Sequence, residues 1–188
     1  MNIRMRAIAT LLMLPVVSAA TAAGTTIARM NLAQLARAAT VIVRARSVSS
    51  RSEWAGGAIW TVTEFEVHER FKGAPASSIR IRVPGGRIGH LVSTVEAAPR
   101  FRDGEDVLLF LEPTSGGDYS VTAWTEGTFR ISHHPQTGLE LISQDSSAYP
   151  VFDGATRQFR ADGIRGILLS DFRQRLATAL ARAVSPKP

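Results

Sequence analysis

The strongest constraint on the fold is the alternation of side-chain character along residues 58–69. An extended chain here would carry Thr61, Thr63, Phe65 and Val67 on one face, and Trp60, Val62, Glu64, Glu66 and His68 on the other. A repeat of two residues belongs to a β-strand, whereas a helix repeats about every 3.6 residues. The run therefore predicts a long strand that buries one of its faces.

Turn residues divide the surrounding sequence into further short strands. Gly56 and Gly57 precede the long strand, and Gly73 and Pro75 follow it. Residues 106–111 are apolar on both faces, which is typical of a strand at the centre of a core. The other strands are predicted at residues 40–48, 78–83, 91–95, 119–124, 127–132 and 139–143.

Amphipathic helices are predicted on either side of these strands. In residues 25–39, apolar side chains recur near the helical period, with Asn31 and Gln34 available for solvent. In residues 171–184, Phe172, Leu176 and Leu180 recur every four residues, and Ser170 is the predicted N-cap.

These elements predict a mainly β fold: a small OB-like (netrin-like) β-barrel of five to seven strands, with a short N-terminal helix and a C-terminal amphipathic helix. A β-sandwich is the alternative. The barrel domain would span residues 24–143. An irregular connection would follow over residues 144–166, and the C-terminal helix and tail would occupy residues 167–188.

The first 23 residues have the layout of a secretory signal peptide. Arg4 and Arg6 form a basic head, an apolar run covers residues 7–17, and small residues fill positions 18–23. The apolar run is too short for a permanent membrane span. We expect cleavage near Ala22 or Ala23, and a soluble periplasmic or secreted product without stable membrane insertion.

The chain contains no cysteine. This excludes disulfide bonds, thiolate chemistry, cysteine-bound zinc and the lipidated cysteine of a bacterial lipoprotein. Lysine and arginine together number 22 against 16 acidic residues, and lysine occurs only at Lys72 and Lys187. The positive charge is therefore almost entirely arginine, which suits binding of carboxylate or phosphate groups but is also common in proteins from GC-rich genomes.

Two parts of the sequence resemble known proteins. Residues 39–48, followed by a long strand and by Phe71-Lys72-Gly73, resemble the opening of the netrin-like domain, the OB-type barrel of tissue inhibitors of metalloproteinases. Residues 83–87, 98–111 and 126–131 are similar to a group of uncharacterised exported bacterial proteins. The resemblance implies the barrel fold and a protein partner. It implies no site residue, because the inhibitors place an N-terminal cysteine on the protease zinc and this chain has none.

No catalytic, metal-binding or cofactor-binding residue is predicted. His133 and His134 are adjacent in a turn and would point apart, whereas metal ligands share a face. His68 and His90 could join them in space, but nothing in the sequence requires it. The sequence contains no G-x-S-x-G, H-E-x-x-H or S-x-x-K motif. Glycines 85, 86 and 89 surround Arg87, and they predict either a β-turn or an anion-binding loop.

The candidate binding surface combines charged residues at period two with one tryptophan. It consists of Arg44, Arg46, Trp60, Glu64, Glu66, Arg80, Arg82 and Arg87. If the first three strands are neighbours, a carboxylate stripe would lie between two arginine stripes. Such a pattern forms either a solvated salt-bridge ladder or a basic face for an acidic partner.

The function expected from the sequence is that of a non-enzymatic binding module for an extracytoplasmic protein, with a secreted protease as the first candidate. One alternative is a binder of anionic polysaccharide or nucleic acid through the arginines. The other is a metal-dependent hydrolase.

Overall fold

The computed structural model describes residues 29–184, apart from Tyr149 and Asp162, so the predicted signal peptide lies outside the described residues. The helices are α1 (Leu32–Ala38) and α2 (Leu169–Val184), with a short 3-10 helix at Asp145–Ser147. The strands are β1 (Val41–Ala55), β2 (Ala58–Lys72), β3 (Ser78–Pro84), β4 (Gly86–Ile88), β5 (Leu91–Ser93), β6 (Asp106–Pro113), β7 (Tyr119–Val121), β8 (Thr128–His133), β9 (Glu140–Gln144), β10 (Val151–Asp153), β11 (Gln158–Arg160) and β12 (Ile167–Leu168).

Five strands form a sheet that closes on itself. The order is β1-β2-β3-β7-β6, and β6 pairs with β1 from Val41↔Leu111 to Arg46↔Asp106. The contact between β3 and β7 is parallel at Ile81↔Tyr119, whereas the other pairs in the ring are antiparallel. The mainly β, barrel-like class with a helix near each end is therefore confirmed. Strands β8, β9 and β12 extend the sheet beyond β6.

Two hydrophobic cores lie on opposite sides of this sheet. One contains Val43, Phe65 and Ile81 and fills the closed ring; the other contains Ile42 and Phe129 and lies against the helices. Strand β6 serves both, because Val107, Leu109 and Leu111 face the first core while Leu108 and Phe110 face the second. This explains why residues 107–111 are apolar on both faces and confirms the central position of the strand.

The two helices pack against each other and on the second core. Phe172 and Leu176 of α2 are fully buried, and the Phe172 ring lies 4.9 Å from that of Phe129. Asn31 and Gln34, expected to be available for solvent, form a capping box that fixes the start of α1 at Leu32. The helix predicted over residues 25–39 therefore does not include residues 29–31. The predicted N-cap at Ser170 is wrong, because α2 already begins at Leu169.

Other segments also differ from their predictions. Strand β1, predicted over residues 40–48, runs on to Ala55. Strand β7 ends at Val121, and the next residues form a turn in which Ala123 and Trp124 both have positive φ. Strand β5 stops at Ser93 and pairs only with β4, in a separate two-stranded sheet. Residues 144–166 contain the hairpin of β10 and β11, so this connection is partly regular.

Candidate functional site

The first three strands are neighbours, as the predicted charge pattern required. Arg46 lies opposite Glu66, and Glu64 lies opposite Arg80. The ion pairs found among the described residues nevertheless do not join these opposed positions. Glu64 accepts a hydrogen bond from Ser78 Oγ (3.0 Å), and Glu66 lies 3.9 Å from His68 Nε2.

Arg44 binds two carboxylates that the sequence pattern did not indicate. Its Nη2 lies 2.5 Å from both Asp106 Oδ2 and Glu140 Oε1, and its Nε donates to both oxygens of Asp106. The side chain is only 16% exposed. The Asp106 carboxylate, followed by Glu140, raises the pKa of Arg44, and Arg44 lowers the pKa of Glu140.

Arg80 and Arg82 both converge on Asp118, whose side chain is almost completely buried. Arg80 Nε lies 2.8 Å from Oδ1 and Arg82 Nε lies 3.2 Å from Oδ2. Arg82 also donates to Glu53 Oε1 (2.5 Å), and its guanidinium lies 6.0 Å from the centre of the Trp60 ring. These carboxylates neutralise much of the positive charge on this face, so the barrel surface is mixed in sign rather than basic.

The glycine-rich loop uses its backbone N–H groups within the protein. Gly85 N donates to Ile59 O (2.8 Å), and Arg87 N donates to Ser52 Oγ (3.1 Å). A Cβ on Gly86 would lie 2.4 Å from Ser52 Oγ and 2.5 Å from Thr61 Oγ1. The glycines therefore permit close packing of β4 against β1 and β2. This arrangement favours the β-turn interpretation over an anion-binding loop.

Large apolar side chains are exposed on the two hairpins that meet at this point. Trp54 is 61% exposed, beside the β1–β2 turn, and Leu91 and Val92 of β5 are 50% and 57% exposed. We call Trp54, Leu91 and Val92 the apolar rim. The bond from Arg87 to Ser52 holds β4 against the part of β1 that leads to Trp54, and Val92 lies opposite Arg87 in the β4–β5 pair. The sequence did not reveal the rim, because Trp54 lies beyond the strand predicted over residues 40–48, Leu91 and Val92 lie in the strand predicted over residues 91–95, and no spacing rule brings the two segments together.

A groove of about 670 Å³ lies between residues 94–102 and the β8–β9 extension. Arg130 crosses it, donating to both oxygens of Asp145 (2.7 and 2.8 Å) and pairing with Glu105. Burial lowers the pKa of Arg130, but Asp145 and Glu105 outweigh burial and the pKa is raised. The arginine is thus saturated by the protein's own carboxylates and holds residues 100–105 to β8.

Glu126 is a buried carboxyl group in the turn before β8, only 1% exposed. Its Oε2 accepts from Met30 N (3.2 Å) and Gln144 Nε2 (3.3 Å), and its Oε1 has no hydrogen-bond partner among the described residues. Burial raises the pKa of Glu126, and the Met30 N–H and the charge of Arg29 oppose that shift. The group ties the segment before α1 to the sheet.

The histidines are dispersed over the surface. His133 Nε2 lies 4.0 Å from Glu140 Oε1, His134 Nδ1 accepts from Gln136 N, and His68 and His90 are exposed. Within the described residues, no group of three His, Cys, Asp or Glu side chains is placed to hold a metal ion. The described helices also include none that is both long and apolar enough to cross a membrane.

The chain matches no protein-family model, and no curated protein matches it in sequence.

Proposed function

We propose that this protein is an exported, non-enzymatic binding module whose protein partner contacts the apolar rim. The observation that carries the proposal is the exposure of Trp54, Leu91 and Val92 on adjoining hairpins. Grouped apolar side chains on a water-facing surface mark protein-binding sites, and tryptophan is frequent among the residues that dominate binding energy. Residues 1–23 would direct export to the periplasm or the medium, and the netrin-like resemblance makes a secreted protease the first candidate partner.

The arginine pairing argues against an anionic polymer as the ligand. Arg44, Arg80 and Arg82 are bound to carboxylates of the same chain. An anionic polymer would have to displace those carboxylates or bind beside them. In the second case the carboxylates would repel the phosphates or sulfates of the polymer. Affinity for such polymers depends on release of counterions from unpaired charges, and these arginines offer few.

Rim-dependent capture from exported proteins tests the proposal. The purified protein, immobilised, is exposed to periplasmic extract and culture medium beside two variants. Leu91→Ser with Val92→Ser removes the apolar side chains of β5. Phe159→Ser is the matched control, because Phe159 is at least as exposed as Leu91 and Val92 but lies on the separate β10–β11 hairpin.

We expect one exported protein to bind both the unmodified chain and the Phe159→Ser control. The same protein should not bind the rim variant. Its binding is then measured by calorimetry with both proteins purified, at low and at moderate salt. A rim contact should change little with salt, whereas polymer binding should weaken steeply. Retention by the rim variant, or capture only of anionic polymer with a steep salt dependence, would contradict the proposal.

A further inference from the structure

Strand β1 loses one of its two neighbours half-way along its length. Strand β6 pairs with residues 41–46 of β1, and Ser47 still exchanges backbone hydrogen bonds with Gly104 and Glu105. In the described sheet, residues 49–55 pair only with β2, and Val48 forms a bulge between Ser47 and Ser49. Because β3 covers the other side of β2, these residues form the open edge of a three-stranded sheet.

This edge has little of the usual protection against pairing with another strand. Exposed edges are normally blunted by proline, charged side chains, bulges or short length, and the bulge at Val48 lies before residues 49–55 rather than among them. Residues 48–55 contain neither proline nor lysine, and Val48, Arg51 and Trp54 are exposed. The charged residues of the segment are Arg51 and Glu53 only. The backbone N–H and C=O groups of such an edge are available to a further strand.

We propose that this edge pairs with the same edge of a second copy of the chain. The two β1 strands would run antiparallel about a two-fold axis at Ser52, joining residues 49–55 of both copies into one continuous sheet. Two-fold pairing of identical surfaces is the commonest way in which soluble proteins form dimers.

Charge complementarity favours a second copy of the chain as the partner of this edge, and it fixes the register of the pairing. With Ser52 opposite its own counterpart, Arg51 of each copy lies opposite Glu53 of the other, and both pairs occur on one face of the sheet. A shift that centres on Arg51 places two arginines opposite each other, and one that centres on Glu53 places two carboxylates together. Like charges directly opposite each other destabilise a sheet, whereas opposite charges stabilise it.

The contacts within each copy prepare this arrangement. Arg82 binds Glu53 Oε1 at 2.5 Å, which fixes the carboxylate on the outer face of β1. Arg51 is 61% exposed and lies 3.9 Å from the other Glu53 oxygen, so its guanidinium is free to reach across the axis. Trp54 would lie opposite Ser50 of the second copy, placing the two apolar rims at the ends of the joined strands.

Paired charge reversals test the register. Arg51→Glu leaves residues 51 and 53 both acidic, and Glu53→Arg leaves them both basic, so each variant should repel its own copies. Analytical ultracentrifugation should show a two-copy mass for the unmodified protein and a single-copy mass for each variant. An equimolar mixture of the two variants should regain the two-copy mass. Circular dichroism confirms that both variants remain folded.

A second test uses disulfide cross-linking, which does not depend on the charges. Because the chain has no cysteine, only an introduced cysteine can form the cross-link. Ser52→Cys should cross-link two copies rapidly under mild oxidation, because position 52 lies opposite itself. Ser50→Cys is the matched control and should cross-link slowly, because it lies opposite Trp54. A single-copy mass for the unmodified protein, dimers that survive either charge reversal, or equal cross-linking at both positions would overturn the proposal.

Discussion

Arg44 and Asp106 are joined across neighbouring strands of the barrel by both Nε and Nη2 of the arginine, the shortest contact being 2.5 Å. Glu140, from a third strand, binds the same guanidinium. Such forked pairs are geometrically demanding, because only arginine presents parallel donors to two carboxylates.

Arg44→Met should lower the free energy of unfolding by about 1–3 kcal/mol, because two carboxylates lose their partner at a mostly buried site. Glu140 has a lowered pKa in the folded state, so its contribution is present above the ordinary pKa of 4.5 and is lost as pH falls through the folded value. The difference between the variant and the unmodified protein should therefore shrink on acidification. Urea unfolding at a series of pH values measures it, with exposed Arg46→Met as the control. A pH-independent loss would contradict this account.

Glu126→Gln should stabilise the protein at neutral pH. The folded-state pKa of Glu126 is raised, so the protonated form is favoured by folding. Its stability contribution is complete below the ordinary pKa of 4.5 and is lost as pH rises through the folded value. The amide keeps an acceptor for Met30 N–H without a buried charge. Melting temperatures should be higher for the variant at neutral pH and equal below pH 4.5; a lower melting temperature at neutral pH would show that ionised Glu126 is required.

Phe172→Ala should cost about 3–5 kcal/mol, because it removes a fully buried ring from between the helices and the sheet. If this variant fails to fold, Leu176→Ala at the same interface should cost about 2–5 kcal/mol. The exposed Phe159 provides the matched control, and Phe159→Ala should cost less than about 1 kcal/mol. Chemical denaturation measures all three. Equal losses at Phe172 and Phe159 would mean that α2 contributes little to the core.

Gly127→Ala should destabilise the protein by about 1–3 kcal/mol through overpacking. A Cβ at this position would lie 2.2 Å from the backbone oxygen of Thr122, and Thr122 N is itself bound to Phe110 O. Gly116→Ala is the control, since the nearest atom to its Cβ would be 3.9 Å away and its φ is not positive. That substitution should be neutral or slightly stabilising. Thermal melts of both variants distinguish a local steric clash from a general effect of alanine.

Much of the barrel could be predicted from the sequence because strand periodicity is a local property. The alternation in residues 58–69 and the doubly apolar run in residues 106–111 lie where β2 and β6 form. Short elements are harder to predict. The turn after Val121 contains Ala123 and Trp124 at positive φ, and neither residue type favours that conformation. The sequence predicts a strand at residues 91–95, but the position of β5 outside the main sheet depends on the packing of β4 against Ser52.

The contacts of the candidate binding surface likewise could not be predicted from local sequence. The sequence placed Arg44, Arg80 and Arg82 on exposed strand faces, but their carboxylate partners come from distant parts of the chain: Asp106, Glu140 and Asp118. No spacing rule connects residues that meet only when the sheet closes. The apolar rim and the open edge of β1 were missed for the same reason.

The sequence by itself determined the local character of the chain: its strand and helix periods, its lack of cysteine and its apolar central strand. These depend on neighbouring residues and on composition. Only the tertiary structure decided which charges are neutralised, that Glu126 is buried and that residues 48–55 of β1 lack a second neighbour. Those properties depend on which strands become adjacent, and strand adjacency is set by closure of the whole sheet rather than by any segment within it.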